Sequence, residues 1–309
     1  MKPSFFSRRT AIVTAALACF ATSVPAQEVV LRVGDQRGNL RAVIEAADAL
    51  KGAPYRIAWT EFPNAAPLLE ALRADAIDGG TVGDAPLTFA AAAGLPAKAI
   101  AATSYEGNGI IVLEKSSYRS LRDLAGKRVA VVKGSAGHNL LLQSLAEQGL
   151  SPGSVELAFV SPSEATLALT QGSVDAVATW EPFIAFATLR SGARILLDGK
   201  RYPATAYFVA SDAAIARKQA ALKDFVARSS KARLWALANA ESYSKTIARI
   251  VGIPEDVARL KQDREHLAPK PIDDQARAIQ QGTIDRYAAN GLIPKGFDAG
   301  TLLDARFNP

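Results

Sequence analysis

The segment VVKGSAGHNLLL, residues 131–142, combines residue types that could bind an anion. An apolar run leads into a small polar turn and then into an expected helix, with Ser135 as an acceptable N-cap. The first N–H groups of a helix have no partner within it, and the aligned peptide dipoles add roughly half a positive charge there. Ala136 and Gly137 are small enough to let an oxyanion approach these groups. The turn is therefore either an ordinary helix start or an anion site, and its position in the fold decides between them.

Catalytic and metal chemistry fit this turn poorly. His138 could donate to the same anion, or it could be a capping or surface histidine. Ser135 and His138 lie three residues apart in one turn, and no third group is evident to orient the imidazole, so Ser–His catalysis is not indicated. The other histidine, His266, is interpreted as a surface residue. Two isolated histidines without a tight carboxylate cluster do not reach metal-ligand spacing, so neither a metal nor a cofactor is predicted.

Short β-rich runs alternate with helical stretches in the first part of the chain. In order, these are VVLRVG, LRAVIEAADALK, YRIAWTEF and PLLEALRA. Such alternation implies crossover connections and mostly parallel sheets flanked by helices. Leu40, Val43, Ile44 and Ala47 fall at helical spacing and form one apolar stripe that can pack on a sheet. The predicted fold class is α/β.

Two pieces of this plan recur about a hundred residues later. The matches pair VGDQRGNL (33–40) with KGSAGHNL (133–140), and LRADAIDGGTVGDAP (72–86) with LTQGSVDAVATWEPF (169–183). The first match aligns Gly34 with Gly134, and the second aligns Asp78 with Asp175. Because both matches occur in the same order, they predict two related α/β lobes.

Four strand-to-helix turns then become the candidate site. Ligands of open α/β sheets bind outside the carboxyl ends of the strands, so two lobes that face one another would bring these turns to one cleft. The candidate ligand-binding residues are Gln36, Arg37, Asn39, Gly83, Asp84, Ser135, Ala136, Gly137, His138, Asn139, Trp180 and Glu181, with Tyr207 on a strand near the return crossing.

These candidates would contribute different chemistry. Gln36 and Asn39 offer amide donors, and Arg37 offers a permanent cation. Asp84 is first of all a helix N-cap, although a free oxygen could receive an ammonium group. Trp180 ends a predicted strand and could supply an apolar wall.

The chain passes between the lobes twice. We predict that lobe 1 comprises residues 28–113 and 206–309 and that lobe 2 comprises residues 114–205. After Asp212 the sequence is mainly helical, with stops at prolines, and these helices could cover the first lobe.

Residues 1–26 match an export signal, with three basic residues, a short apolar core and a small-residue cleavage pattern ending at Ala26. The apolar core is too short to span a bilayer. Both general secretion and twin-arginine export stay open, with general secretion preferred. Lipoprotein anchoring at Cys19 is the less favoured alternative, and cleavage after Ala26 would leave a mature chain without cysteine.

Charge does not indicate a nucleic-acid partner. The formal charge is +6, and three of the basic residues lie within residues 1–27, where there is no acidic residue. The remaining basic residues are dispersed rather than clustered. The helical stretch FVARSSKARLWALANA, residues 225–240, has few charges, so it is interpreted as a packed surface helix rather than a membrane-binding one. We expect a monomer.

Five stretches together carry a resemblance to a known family. They are GDQRGN, TEFPNAAPLLEALRADAIDGGTVGDAP, KGSAGHNLLL, VDAVATWEPF and DGKRYPATAYFVAS. The chain resembles the periplasmic aliphatic-sulfonate-binding proteins of ABC importers, within the wider group that includes taurine and nitrate binders. The resemblance runs from Val29 to Ser211, with a looser helical tail.

This resemblance implies a type II periplasmic-binding-protein fold of two lobes. Such a protein traps a small organic anion between its lobes and presents it to an inner-membrane permease that works with an ATPase. The resemblance also implies that the turn from Ser135 to Asn139 holds the sulfonate and that Gln36, Asp84 and Trp180 line the cleft. Family members often carry a hydroxyl residue where this chain has Ala136 and Gly137, and an aspartate where it has Glu181.

Three alternatives stay open at this point. The ligand could be taurine, nitrate or another small oxyanion rather than an alkyl sulfonate. An enzyme on the same scaffold is a second reading, although export and the lack of a convincing acid–base pair favour a binding protein. A sensory ligand module is the third, but no transmembrane or signalling segment follows the lobes in the sequence.

Overall fold

The structure is a computed structural model that describes Met1 and residues 28–36, 39–202 and 204–308. Apart from Met1, the predicted export signal lies outside the described residues, as does Arg37.

Two β-sheets with helices packed on them make up the described chain. The strands are β1 (Val29–Gln36), β2 (Tyr55–Phe62), β3 (Gly79–Gly83), β4 (Ala97–Tyr105), β5 (Asn108–Leu113), β6 (Arg128–Val131), β7 (Glu156–Phe159), β8 (Ala176–Trp180), β9 (Ala193–Asp198), β10 (Ala204–Ser211) and β11 (Pro269–Lys270). The α-helices are α1 (Asn39–Ala46), α2 (Ala65–Arg73), α3 (Asp84–Ala92), α4 (Ala136–Glu147), α5 (Pro162–Thr170), α6 (Phe183–Arg190), α7 (Asp212–Ala238), α8 (Ala240–Val251), α9 (Glu255–Glu265) and α10 (Asp274–Ala289).

The two sheets share one topology. The first has the order β11-β4-β10-β3-β1-β2, and the second has the order β7-β6-β8-β5-β9. Without the short β11, both sheets place their strands in the same spatial sequence, with one reversed strand between parallel neighbours. The reversed strands are β10 and β5, which pair antiparallel on both sides. The prediction of two related α/β lobes is confirmed, and each sheet is mixed, with most strands running in one direction.

The chain crosses between the sheets before each reversed strand. The first crossing runs through Glu106 and Gly107, and the second follows β9 at Gly199–Arg201. Because β5 pairs with β8 and β9, residues 108–113 belong to the second sheet, and the predicted boundary after residue 113 is wrong. The predicted return between residues 205 and 206 falls inside β10. An apolar strand has the same sequence pattern whichever sheet it joins, so the pattern could not place either boundary.

The second internal match corresponds to a real structural equivalence. Asp78 precedes β3 and accepts a hydrogen bond from the backbone N–H of Arg32 at 2.7 Å. Asp175 precedes β8 and accepts one from the backbone N–H of Arg128 at 3.0 Å. Each aspartate therefore links the start of one strand, β3 or β8, to a residue of the neighbouring strand, β1 or β6. The alignment of Asp78 with Asp175 is confirmed.

The first match is out of register with the structure. Gly34 lies within β1 opposite Gly80, whereas Gly134 lies beyond the end of β6 with a φ of 73°. The two glycines have different roles, so their alignment is wrong even though both segments lead from a strand into a helix.

The C-terminal helices cover the first sheet, as predicted. Leu40, Val43 and Ile44 of α1 are buried in a cluster that also contains Phe225 of α7. On the opposite side of the same sheet, Tyr287 of α10 packs with residues of β3, α3 and β10. Within the described chain, no helix is both long and apolar enough to cross a membrane.

Candidate functional site

A cavity of ≈ 280 Å³ lies between the two lobes. Its walls include the ends of β1, β3 and β8 and the turn after β6, where ligands of open α/β sheets bind. The two lobes approach closely here, because a Cβ added to Gly83 would lie 3.8 Å from the Cβ of Ala136. Apolar walls come from Pro63, Leu69, Pro86, Phe89, Trp180 and Phe183.

Eight of the predicted residues line this cavity, and four do not. The lining residues are Gln36, Asn39, Gly83, Asp84, Ser135, Ala136, Trp180 and Glu181. The other four are Gly137, His138, Asn139 and Tyr207. The thirteenth, Arg37, is outside the described residues.

The helix α4 begins at the cavity wall with Ser135 as its N-cap. The extended backbone of Ser135 lets its Oγ accept the N–H of His138 at 3.2 Å. A serine hydroxyl that accepts one bond keeps its own hydrogen for donation. The first turn of α4 contains no acidic residue. The first-turn N–H groups that Ser135 does not cap and the positive end of the helix dipole are therefore available to an anion in the cavity.

Three other helix starts at the cleft are already served by carboxylates of the chain, whereas α2, which begins at Ala65 on the cavity wall, has no acidic residue in its first turn. Asp35 accepts the N–H of Leu40 in α1 at 2.8 Å, and Asp84 accepts the N–H of Ala85 in α3 at 2.8 Å. Glu181 accepts the N–H of Ala185 in α6 at 3.1 Å. Of the four starts predicted to line the cleft, α4 is the one without a carboxylate of its own.

Asp84 is the first residue of α3 rather than its N-cap, which is Gly83. The carboxylate bonds the next residue's N–H, and its second oxygen accepts the hydroxyl of Thr283 on α10 at 3.0 Å. Burial raises the pKa of Asp84. Both oxygens already have partners, so the expected interaction with a ligand ammonium group is not favoured.

His138 is a buried part of the turn and does not contact the cavity. Its Nδ1 accepts the N–H of Gly134 at 3.2 Å, and its ring packs against Phe159 and Tyr287. Burial lowers the pKa of His138 to about 4, so the imidazole is neutral at physiological pH. The sequence left donation to the ligand and a capping role open for His138, and the structure places its side chain on the inner face of α4, three residues past the N-cap, where it accepts the N–H of Gly134.

Gly137 and Asn139 serve packing and lobe contact. A Cβ on Gly137 would lie 2.5 Å from the carbonyl oxygen of Ala178, so glycine lets α4 pack directly on β8. Asn139 contacts α10 of the first lobe, where its Nδ2 donates to Thr283 at 3.3 Å and its Oδ1 accepts from Arg286 at 2.8 Å. The amide of Asn139 is therefore used between the lobes, and its predicted contact with the ligand is corrected.

Tyr207 is also a core residue rather than a lining residue. It is fully buried, and its hydroxyl is 3.4 Å from the carbonyl oxygen of Ala276 on α10. Thr205 lies on the same face of β10 and does line the cavity. Tyr207 is one pleat further from the crossing, where α10 covers the strand.

Glu181 connects the lobes at the crossing strands. Its Oε1 accepts the Nε of Arg264 on α9 at 2.7 Å, and Arg264 also contacts Asp198 at 2.9 Å. Burial raises the pKa of Glu181 to about 7, because the loss of solvent outweighs the attraction of Arg264. With one oxygen on Arg264 and the other on Ala185, Glu181 has a structural role at the cavity wall.

The sequence reasoning missed the lining residues that come from the C-terminal helices. Lys261 and Glu265 on α9 line the cavity as a buried ion pair. Their spacing of four residues is that of an ordinary surface pair on a helix, so no pattern distinguishes them. The same limit applies to Tyr105 at the end of β4, which also lines the cavity.

Relatives of known name share nearly the whole chain. The chain is 34% identical over 286 residues to an Escherichia coli (strain K12) protein whose name describes it as a binder of aliphatic sulfonates, covering 90% of both chains. Among solved structures, it matches the alkanesulfonate-binding protein SsuA from Xanthomonas axonopodis pv. citri bound to MOPS, with a TM-score of 0.82 and 30% identity. That match covers 90% of this chain and 99% of the other.

The same fold also occurs in an enzyme. The desulfurization enzyme DSZB matches with a TM-score of 0.66 and 17% identity, covering 91% of this chain and 97% of the other. At this identity the likeness concerns the fold alone.

The family assignment agrees with the topology, the cavity and these relatives. The sequence profile of the NMT1-like family matches residues 40–252, which include both crossings and three of the four strand-to-helix turns of the cleft. The resemblance drawn from the sequence is confirmed, and the chain belongs to the NMT1-like family.

Proposed function

We propose that the protein binds an organic sulfonate in the cavity between its lobes and delivers it to the permease of an ABC importer. The sulfonate oxygens would accept hydrogen bonds from the Ser135 hydroxyl and from the first N–H groups of α4. Hydrogen bonds to a charged group contribute about 1.5 to 3 kcal/mol each, so a few of them can support micromolar affinity, about 8 kcal/mol, before association costs.

One observation carries this proposal. Asp35, Asp84 and Glu181 already occupy the starts of α1, α3 and α6 at the cleft, whereas α4 and α2 begin at the cavity with no acidic residue in their first turns. The uncharged starts of α2 and α4 are therefore the favourable positions for an anion, and the resemblance to sulfonate-binding proteins favours the turn at α4. Relatives named for sulfonate binding make this class the first choice for the head group.

The cavity favours an anion with an organic tail over a small inorganic one. A water molecule takes up about 30 Å³ of liquid, and an ion such as nitrate is not much larger, so it would leave most of the ≈ 280 Å³ cavity unfilled. Apolar side chains such as Phe89, Trp180 and Phe183 line the remaining space, and burying an alkyl tail against them is favourable.

The acidic side chains at the cavity disfavour taurine as the principal ligand. Asp84, Glu181 and Glu265 line the cavity, and each is bonded to another group of the protein. The fourth acidic lining residue, Glu70, is exposed, and its carboxylate lies 3.7 Å from Arg73. A ligand ammonium group would have to displace one of these partners or stay unpaired after losing its water, which is costly.

Binding without catalysis is part of the proposal. The nucleophile and base arrangement expected of an enzyme is missing at Ser135, because the neighbouring His138 directs its Nδ1 to a backbone N–H. DSZB shows that the fold itself does not exclude catalysis, so the proposal depends on the residues of the cavity.

Export to the periplasm completes the proposal. It is supported by the signal pattern that ends at Ala26 and by the resemblance to periplasmic binding proteins. We further propose that the protein acts as a monomer whose partners are the sulfonate and the permease with its ATPase.

Isothermal titration calorimetry with propanesulfonate, taurine, nitrate and sulfate tests the site directly. We expect Ala136→Asp to weaken propanesulfonate binding by more than a hundredfold, because it places a carboxylate at the helix start where the sulfonate is proposed to bind. An aspartate in the first turn favours the helix, so the melting temperature should not fall. Ser163→Asp is the matched control, because it adds the same charge to the first turn of α5 on an exposed surface.

Loss of the Ser135 hydroxyl together with the charge of Arg37 should weaken binding by more than tenfold. Unchanged propanesulfonate affinity in both Ala136→Asp and the Ser135→Ala/Arg37→Ala double variant would refute the site. A wild-type protein that responds to none of the four anions would refute the proposed function and strengthen the enzyme alternative.

A further inference from the structure

A buried ion pair lies on the side of the cavity next to the first crossing between the lobes. Lys261 and Glu265 both line the cavity, and their side chains are only 7% and 2% exposed. The backbone carbonyl of Glu265 accepts the N–H of Glu106, and a Cβ on Gly107 would lie 2.9 Å from the Cγ of Glu265. The pair therefore lies beside the first crossing, on α9, whereas the proposed sulfonate position is on α4.

Stability alone does not explain an ion pair in this position. Two charges lose their water when they are buried, and apolar residues of similar size often serve a protein core equally well. The walls of the same cavity are otherwise rich in apolar side chains, including Trp180 and Phe183. A function in the cavity is the better explanation for retaining both charges.

The ion pair leaves hydrogen-bonding capacity on both partners. The Lys261 ammonium has three N–H donors, and the carboxylate of Glu265 has two oxygens. Among the described residues, the one hydrogen bond made by these two side-chain ends joins the Nζ of Lys261 to the Oε2 of Glu265. A ligand group that both accepts and donates can use a remaining donor of Lys261 and the carboxylate of Glu265 at once.

The surrounding charges select against a charged group at this position. A second carboxylate would face Glu265 and the nearby Glu181, whose pairing is already complete. An ammonium group would face the ammonium of Lys261. Tyr105 also lines this part of the cavity, and burial raises its pKa well above its ordinary value, so its phenol is neutral. A neutral hydroxyl group meets neither repulsion.

We propose that the Lys261–Glu265 pair is a second subsite that binds a hydroxyl group on the ligand's tail, so that the preferred ligands are hydroxyalkanesulfonates. The inference rests on the proposed function, because the sulfonate at α4 orients the tail toward α9. The hydroxyl oxygen accepts a hydrogen bond from Lys261, and the hydroxyl hydrogen is donated to Glu265.

Calorimetry with four ligands of equal chain length tests this subsite. The ligands are 3-hydroxypropanesulfonate, propanesulfonate, 3-sulfopropanoate and 3-aminopropanesulfonate. The wild-type protein should bind 3-hydroxypropanesulfonate about tenfold more tightly than propanesulfonate, and the two ligands with charged tails should bind more weakly than propanesulfonate.

A double variant separates the ion pair from the rest of the cavity. Lys261→Met with Glu265→Leu removes both charges together, so neither is left buried alone. It should bind propanesulfonate at least as tightly as 3-hydroxypropanesulfonate. Glu241→Leu with Lys245→Met is the matched control, since it removes an exposed pair of the same spacing on α8 and should keep the wild-type preference.

The outcomes distinguish the inference from the proposed function. Wild-type protein that binds propanesulfonate as tightly as 3-hydroxypropanesulfonate would overturn the subsite and leave sulfonate binding intact. A double variant that keeps the wild-type preference would also overturn it. If no sulfonate binds the wild-type protein, both proposals are refuted.

Discussion

At the scale of single residues, three side chains stabilise the turn from Gly134 to His138, where the anion is proposed to bind; we call this the anion turn. Ser135 accepts the N–H of His138, and His138 accepts the N–H of Gly134. From the other lobe, the hydroxyl of Tyr287 donates to the carbonyl of Ser135 at 3.1 Å. These bonds fix the backbone before a ligand arrives, which limits the entropy that binding has to offset.

Glu181 should make stability depend on pH in a defined direction. Its pKa is raised from 4.5 to about 7, so the folded state keeps a proton that the unfolded state releases. The resulting stabilisation is present below pH 4.5 and is lost as the pH rises through 7. We expect the free energy of unfolding of the wild type, relative to Glu181→Gln, to fall across this window in denaturant titrations.

Glu181→Gln is a conservative variant, because an amide can still accept from Arg264 or Ala185. A wild-type advantage over Glu181→Gln that stays constant from pH 4.5 to 8 would show that Glu181 titrates normally.

Sequence chemistry located the residues of the turn but not the direction of each side chain. Ser135 was predictable because an N-cap is defined by its neighbours along the chain. His138 and Asn139 were assigned to the ligand because they share the turn, yet the helix directs them to Phe159 and α10. The partners of the Asn139 side chain, Thr283 and Arg286, are more than a hundred residues away in the sequence. A local sequence pattern cannot contain that information.

At the scale of elements, α10 links both lobes at the anion turn. Thr283 donates to Asp84 of α3 and accepts from Asn139 of α4. Arg286 completes the contact by donating to Asn139. A buried amide with partners on the facing lobe favours the arrangement in which the lobes are close.

We expect Asn139→Ala to release the ligand faster without changing its association rate. The variant removes two interlobe hydrogen bonds, one of them to a charged group, and leaves Arg286 without this acceptor. Loss of a bond to a charged group costs about 1.5 to 3 kcal/mol, which corresponds to at least a tenfold faster dissociation if the bonds form only on closure. Stopped-flow fluorescence with propanesulfonate measures both rates.

Asn239→Ala provides the comparison, because within the described part of the chain the side chain of Asn239 bonds only to Trp235 of its own lobe. If Asn139→Ala slows association instead, or leaves dissociation unchanged, the contact is not specific to the closed arrangement.

The order of strands and helices was predictable, whereas their membership in each lobe was not. Local periodicity predicts the apolar stripe of α1. The similarity of the two sequence segments predicts that Asp78 and Asp175 have equivalent positions. Strand β5 could not be placed, because its burial on both faces gives a continuous apolar run in either sheet.

At the scale of the whole molecule, binding and closure are expected to be one equilibrium. A ligand that contacts both lobes binds the closed arrangement better and shifts the population toward it. The proposed ligand would touch α4 of the second lobe and α9 of the first. Contacts such as Arg264 with Glu181 and Asp198 connect the same lobes near the crossings.

The position of the anion is the central claim, and a crystal structure with 2-bromoethanesulfonate tests it most directly. The bromine is located by anomalous scattering, and it fixes the direction of the ligand in the cavity. We predict sulfonate oxygens within about 3 Å of the Ser135 Oγ and of a first-turn N–H of α4, as expected for hydrogen bonds. A sulfonate bound beside Lys261, or outside the cavity between the lobes, would contradict the account.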